Sequence, residues 1–253
     1  MTFIRLVKRL AHACGIEVSR YYPEGKVPAD MSVDFAETYA KVRAYTMTSA
    51  ERVFSLCEAV KYIAINKIEG DIVECGVWKG GSMMAVADTL IKHNDVQRHL
   101  YLFDTFEGMS EPTDKDVDIA GVSAGYLMEH SDKNKDESVW CNAPLDGVKD
   151  VLGSSGYPKD QVHFVKGMVE TTIPEHAPQK IALLRLDTDW FESTRHELEH
   201  LFPRLVKGGV LIIDDYGHWQ GARRAVDEYI SRNNIALMLN RIDYTGRIAI
   251  KVE

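Results

Sequence analysis

The sequence predicts an α/β fold, a mostly parallel seven-stranded sheet covered by helices on both faces, and three observations predict it. Five runs, DIVECG (71–76), HLYLFD (99–104), VHFVKG (162–167), IALLRLD (181–187) and GVLIIDD (209–215), are apolar almost throughout, as strands buried on both faces must be. Segments with helical periodicity separate most of them, which is the alternation of a parallel sheet. Four of the runs, all but VHFVKG, deliver a carboxylate at or near their carboxyl ends, beyond which ligands bind in such sheets.

Taken in order, residues 1–34 read as an N-terminal extension to one domain spanning 35–253. Arg5, Lys8 and Arg9 stand beside Phe3, Ile4, Leu6 and Val7, and charges inside the apolar run argue against a secretory signal. Val7, Leu10, His12 and Cys14 suit an amphipathic helix, read here as a docking or dimer-contact element, with a membrane surface as the alternative. Residues 49–68 form a helix on the recurrence of Val53, Leu56, Ala59, Val60 and Ile63, capped by Thr48 or Ser49 ahead of Glu51. A second helix follows from Ser82 to Lys92. Thr105 to Asp160 is irregular, with two weakly helical patches, and its length predicts a lid at about 110–145. Later helices are expected from Ser193 to Leu205, stopped by Lys207-Gly208-Gly209, and over 221–230. IALMLN (235–240) and RIAIKVE (247–253) read as a closing pair of strands.

Composition narrows the function. With 30 Lys and Arg against 38 Asp and Glu, the net charge of −8 excludes the basic footprint of a nucleic-acid binder. Cys14, Cys57, Cys75 and Cys141 are scattered without a CxxC pair, which predicts free thiols in a reducing cytoplasm. No apolar stretch reaches the ~18 residues of a transmembrane span.

The chemistry concentrates at the strand ends: Glu74-Cys75-Gly76, Asp104, Asp187 with Asp189, and Asp214-Asp215. Glycines in Gly76-Val77-Trp78-Lys79-Gly80-Gly81-Ser82 let backbone approach a ligand and open a helix N-terminus toward it. The turn lacks both the GxGxxG spacing of a dinucleotide fingerprint and the ending of a P-loop. Asp104 is placed to accept hydrogen bonds from ribose hydroxyls, so adenosine without phosphates fits. Three carboxylates from two adjacent strand ends suit Mg²⁺, which takes hard oxygen ligands. Alternation along an extended segment would turn Asp187 and Asp189 to one side. A metal that stabilises a developing alkoxide, with a free carboxylate to take its proton, activates an aliphatic hydroxyl.

Five blocks carry a resemblance: Met47-Thr48-Ser49-Ala50-Glu51-Arg52, Glu74 through Ser82, Phe103-Asp104-Thr105-Phe106-Glu107-Gly108, Asp187-Thr188-Asp189 with Glu192-Ser193-Thr194, and Asp214-Asp215-Tyr216-Gly217. In this order, over residues 35–253, the chain resembles the macrocin O-methyltransferase family, related to the mycinamicin and novobiocin O-methyltransferases. The resemblance implies a Rossmann-like class I methyltransferase sheet with an antiparallel closing strand. It also implies S-adenosylmethionine as donor, Mg²⁺, a glycoside or glycan hydroxyl as acceptor, and a homodimer with the N-terminal segment crossing between subunits. Carried onto this sequence, Asp187, Asp214 and Asp215 hold the metal and Asp189 is the general base. Glu74, Gly76, Ser82 and Asp104 line the donor site, with Thr48 and Ser49 closing over it. Thr188 and Trp190 stand where family members usually have Gly and Tyr.

Other residues have plainer readings beside functional ones. His196 and His200 lack an HExxH context and read as a helix face, Met83-Met84 as core, and Trp78 as packing or a donor contact. His218 and Trp219, and from the long insert Tyr126, Met128 and Trp140, are candidates for an acceptor pocket. The rival functions are a metal-dependent glycosyltransferase using Asp187-Thr188-Asp189, a non-catalytic module on the same sheet, and a catechol-type O-methyltransferase.

Overall fold

The computed structural model describes residues 3–14, 27–135 and 138–253; the remainder of the expected N-terminal extension, residues 1, 2 and 15–26, lies outside the described residues. Helix α1 (Phe3–Ala13) is followed by α2 (Val33–Val42) and α3 (Ala50–Ile65), which starts where the Ser49 hydroxyl accepts from the Arg52 amide. The sheet comprises β1 (Asp71–Cys75), β2 (Leu100–Asp104), β3 (Val162–Lys166), β4 (Ile181–Leu186), β5 (Leu205–Ile213), β6 (Asn240–Arg241) and β7 (Arg247–Ile250). Its order is β3-β2-β1-β4-β5-β7-β6, parallel from β3 to β5 and antiparallel at β7 and β6. The expected seven-stranded, mostly parallel sheet with an antiparallel closing strand is therefore observed.

Side chains alternate between two cores, as a sheet covered on both faces requires. Ile72, Leu100, Leu102, Val210 and Ile212 face α3 and α4 (Gly81–Lys92), while Val73, Phe103, Leu184, Leu211 and Ile213 face α8 (Phe191–Leu201) and α9 (Gln220–Arg232). The intervening short helices are α5 (Ala124–Glu129), α6 (Leu145–Ser154) and α7 (Val169–Thr172). The first two account for the weakly helical patches of residues 105–160.

Two expectations are corrected. Helix α8 ends at Leu201, where Pro203 enters a 3-10 turn, and not at Lys207-Gly208-Gly209. Those three residues lie inside β5, where pairing to β4 jumps from Ile181↔Leu205 to Leu183↔Val210 and Gly208 takes φ +82°, an irregularity in the strand. IALMLN is not a strand either: only Asn240 and Arg241 pair. Ile235, Leu237 and Leu239 pack against the second core, so the segment's alternation reflects inward packing without a ladder.

Candidate active site

The carboxyl ends of β1, β2, β4 and β5 border one cavity of about 520 Å³, within the range of small-molecule sites. On the β1–β2 side, Gly76 adopts φ +81°, and a Cβ there would lie 1.9 Å from the Asp187 carbonyl oxygen, so the turn passes β4 with no room for a side chain. Asp104 organises the same turn: one carboxylate oxygen accepts from the Val77 amide at 2.6 Å and the Trp78 amide at 3.1 Å, the other from the Phe106 amide at 2.6 Å. Burial raises its pKa against these bonds. Gly80, with φ +85°, precedes α4, whose first amides no side chain caps; such a terminus favours a polar or anionic group.

On the β4–β5 side, carboxylate oxygens of Asp187, Asp214 and Asp215 all lie within 4.8 Å of one another. Asp189 joins them at the cavity wall, close enough to Asp215 for each to perturb the other. The convergence does not come from strand alternation. Strand β4 stops at Leu186, and Asp189 sits in the left-handed region at φ +66°, in a turn where the Trp190 amide donates to the Thr188 carbonyl at 2.7 Å. The Thr188 hydroxyl donates to buried Glu197 at 2.9 Å. Burial, reinforced by the neighbouring acids, pushes Asp189 up to about 7 and Asp187 and Asp215 well above the carboxylate range.

Two arginines balance this charge, and sequence reasoning gave neither a role. Arg185, 3% exposed, donates to Glu74 at 2.7 Å, Asp187 at 2.6 Å and Asp214 at 2.7 Å. Arg52 of α3 pairs with Asp214 and, at 3.1 Å, with Asp243. The signal for Arg185 was available: a charge within IALLRLD, a strand buried on both faces, requires a partner there. Arg52 and Asp243 are 191 positions apart in the chain (243 − 52), and no local pattern joins them.

Thr48, Gly76, Ser82, Asp104, Asp187, Asp189, Asp214 and Asp215 all line the cavity. Two expected donor-site residues do not. Ser49 is turned to cap α3 and to donate to Asp243 at 2.8 Å, and Glu74 is wholly buried beneath the floor, where burial, opposed by Arg185, pushes its carboxyl up to about 7. Trp78, His218 and Trp219 reach the cavity wall, as do Met109, Leu127 and Val139 of the long insert. Met128 is instead core, Trp140 donates to the Met128 carbonyl at 3.0 Å, and Tyr126 stacks on His130. Met83 and Met84 are core, and His196 bonds the Ile173 carbonyl at 3.0 Å.

A divalent cation fits these residues. Five acids, Glu74, Asp187, Asp189, Asp214 and Asp215, cluster here with two guanidiniums, which pair with Glu74, Asp187 and Asp214, and the carboxylate oxygens that border the cavity are hard donors of the kind Mg²⁺ takes.

The family model for macrocin O-methyltransferase (TylF) matches residues 29–250. The chain is 34% identical over 80% of its length, and 74% of the relative's, to the 8-demethyl-8-(2,3-dimethoxy-alpha-L-rhamnosyl)-tetracenomycin-C 4'-O-methyltransferase of Streptomyces olivaceus. It is 31% identical over 83% of its length, and 79% of the relative's, to the mycinamicin III 3''-O-methyltransferase of Micromonospora griseorubida. Among solved structures, the O-methyltransferase NovP superposes with a TM-score of 0.71 over 83% of each chain at 28% identity. The match of the family model, the two relatives and the shared sheet together establish that this chain belongs to the macrocin O-methyltransferase (TylF) family of O-methyltransferases.

Proposed function

We propose that the chain transfers the methyl group of S-adenosylmethionine to a hydroxyl oxygen of a sugar carried by a natural product or glycan, with Mg²⁺ held by Asp187, Asp214 and Asp215. The observation that carries the reading is the meeting, in one cavity, of the glycine turn of β1 with the carboxylates of β4 and β5. The sugar-directed relatives support the acceptor class.

Gly76, Ser82 and Asp104 form the donor half, where the Asp104-held turn and the uncapped start of α4 receive the adenosine and amino-acid portions. Thr48 borders the same half. Asp189 is the general base: it takes the hydroxyl proton as the acceptor oxygen bonds to the methyl carbon, the carbon–sulfur bond breaks, and the electron pair leaves on sulfur. Arg185 and Arg52 fix Asp214, and Arg185 fixes Asp187, so the carboxylates are oriented before substrate arrives. When bound, the cation supplies positive charge against the alkoxide character developing on the acceptor. Met109, Leu127 and Val139 give the acceptor side an apolar wall, and the insert at about 110–145 is read as its lid. The four cysteines are free, which suits a reducing cytoplasm.

Incubation with isotopically labelled S-adenosylmethionine and a panel of glycosides tests the reading. Label should appear in a methyl ether on a sugar ring; label found only on phenols, or none with any glycoside, would assign a different acceptor.

A further inference from the structure

Helix α1 separates its side chains by kind. At about 3.6 residues per turn, Ile4, Val7, Leu10 and Ala11 fall on one side with Leu6 and Ala13 at its margins, and Arg5, Lys8, Arg9 and His12 fall on the other. The apolar side is uncovered: Ile4 is 68% exposed and Leu10 62%, and none of the described α1 residues belongs to a hydrophobic core cluster.

Charge identifies what fits that side. The polar faces of the later helices mix signs and pair internally, Arg195 with Glu192 and Glu199 on α8, and Arg224 with Glu228 on α9. Helix α1 has no acid, and none occurs before Glu17, although acids outnumber Lys and Arg 38 to 30 over the whole chain. A protein-docking helix has no need of a uniformly cationic back. A helix lying in an anionic lipid interface does, because its aliphatic face enters the acyl boundary while flanking Lys and Arg reach the headgroups. Among the described residues no helix is long and apolar enough to cross a membrane, so a contact in the plane of the interface is the geometry left to α1.

We propose that α1 is an interfacial helix that binds this enzyme peripherally to anionic phospholipid surfaces, its apolar side inserted and Arg5, Lys8 and Arg9 engaging the headgroups. The competing occupant is a second copy of the chain. The full chain is sedimented with vesicles of phosphatidylcholine alone and of phosphatidylcholine with a quarter phosphatidylglycerol, while light scattering follows its oligomeric state. Binding to the anionic vesicles, weakened by high salt, is expected. Replacing Arg5, Lys8 and Arg9 with Gln should weaken it on the order of a hundredfold, at roughly fivefold per basic residue. Leu10→Asp should abolish it, with the melting temperature unchanged because α1 is outside the cores. Equal binding to neutral vesicles, no binding to either kind, or a Leu10→Asp variant that dissociates a dimer without altering vesicle binding would each overturn the proposal.

Discussion

Asp189 and Arg185 stand four positions apart: in the proposed reaction the first accepts a proton, while the second pairs with Asp187 and Asp214 beside it. In the proposed reaction, Asp189→Asn keeps the shape of the turn and removes the base. Turnover should fall by roughly 10²–10⁴-fold while the dissociation constant for S-adenosylmethionine, measured by calorimetry, stays within a few-fold; near-normal turnover would refute the assignment. Arg185→Met acts differently, because it strips a buried cation from Glu74, Asp187 and Asp214 together. A stability loss of about 3–5 kcal/mol by urea unfolding is expected, and a loss under ~1 kcal/mol would mean that the acids find other partners. The acids themselves were legible in the sequence because each stands at or just past the end of an apolar run. Arg185 registered there only as a charge in a buried strand that needs a partner, without saying which acids stand opposite it, and Arg52, on α3, left no local signal.

At the scale of elements, α2 is fastened to α4 by Asp88, which accepts from Lys41 at 2.5 Å, Thr38 at 2.6 Å and Lys92 at 3.0 Å. Burial works to raise its pKa, but the bonds from Lys41, Thr38 and Lys92 prevail and hold it below the usual range. Since the folded value is the lower one, the stabilisation is complete above the unfolded value of about 3.9 and is lost as pH falls through the folded value. Asp88→Asn should therefore cost about 1.5–3 kcal/mol at pH 7, and the gap between variant and parent in chemical denaturation should narrow below about pH 4. A gap constant down to pH 3 would show that the charge contributes nothing. Helices and parallel strands were legible because helical period and unbroken apolar runs differ. The segment 235–240 misled because inward packing of alternate residues has the same period as a strand, and pairing leaves no mark in one sequence.

At the scale of the molecule, the proposed cation site, with more acids than guanidiniums, would couple cation binding to folding. Magnesium at about a hundred times its dissociation constant should add about 2.7 kcal/mol of stability, a melting-temperature rise of roughly 5–11 °C for a chain this size. Chelator should remove both that rise and the methyl transfer, and re-addition should restore both; transfer indifferent to chelation would remove the metal from the mechanism. The sheet's order was implied by family resemblance and not by pattern, because which strands become neighbours depends on crossovers that no local signal records. The Ser49–Asp243 hydrogen bond, between residues 194 positions apart, also sets a schedule on the ribosome. At the usual pace of synthesis, Ser49 and Arg52 leave the exit tunnel roughly ten to forty seconds before Asp243 does. A nascent chain thus holds Ser49 and Arg52 without their Asp243 partner throughout that interval, and the start of α3 is tied to this turn only once Asp243 has emerged.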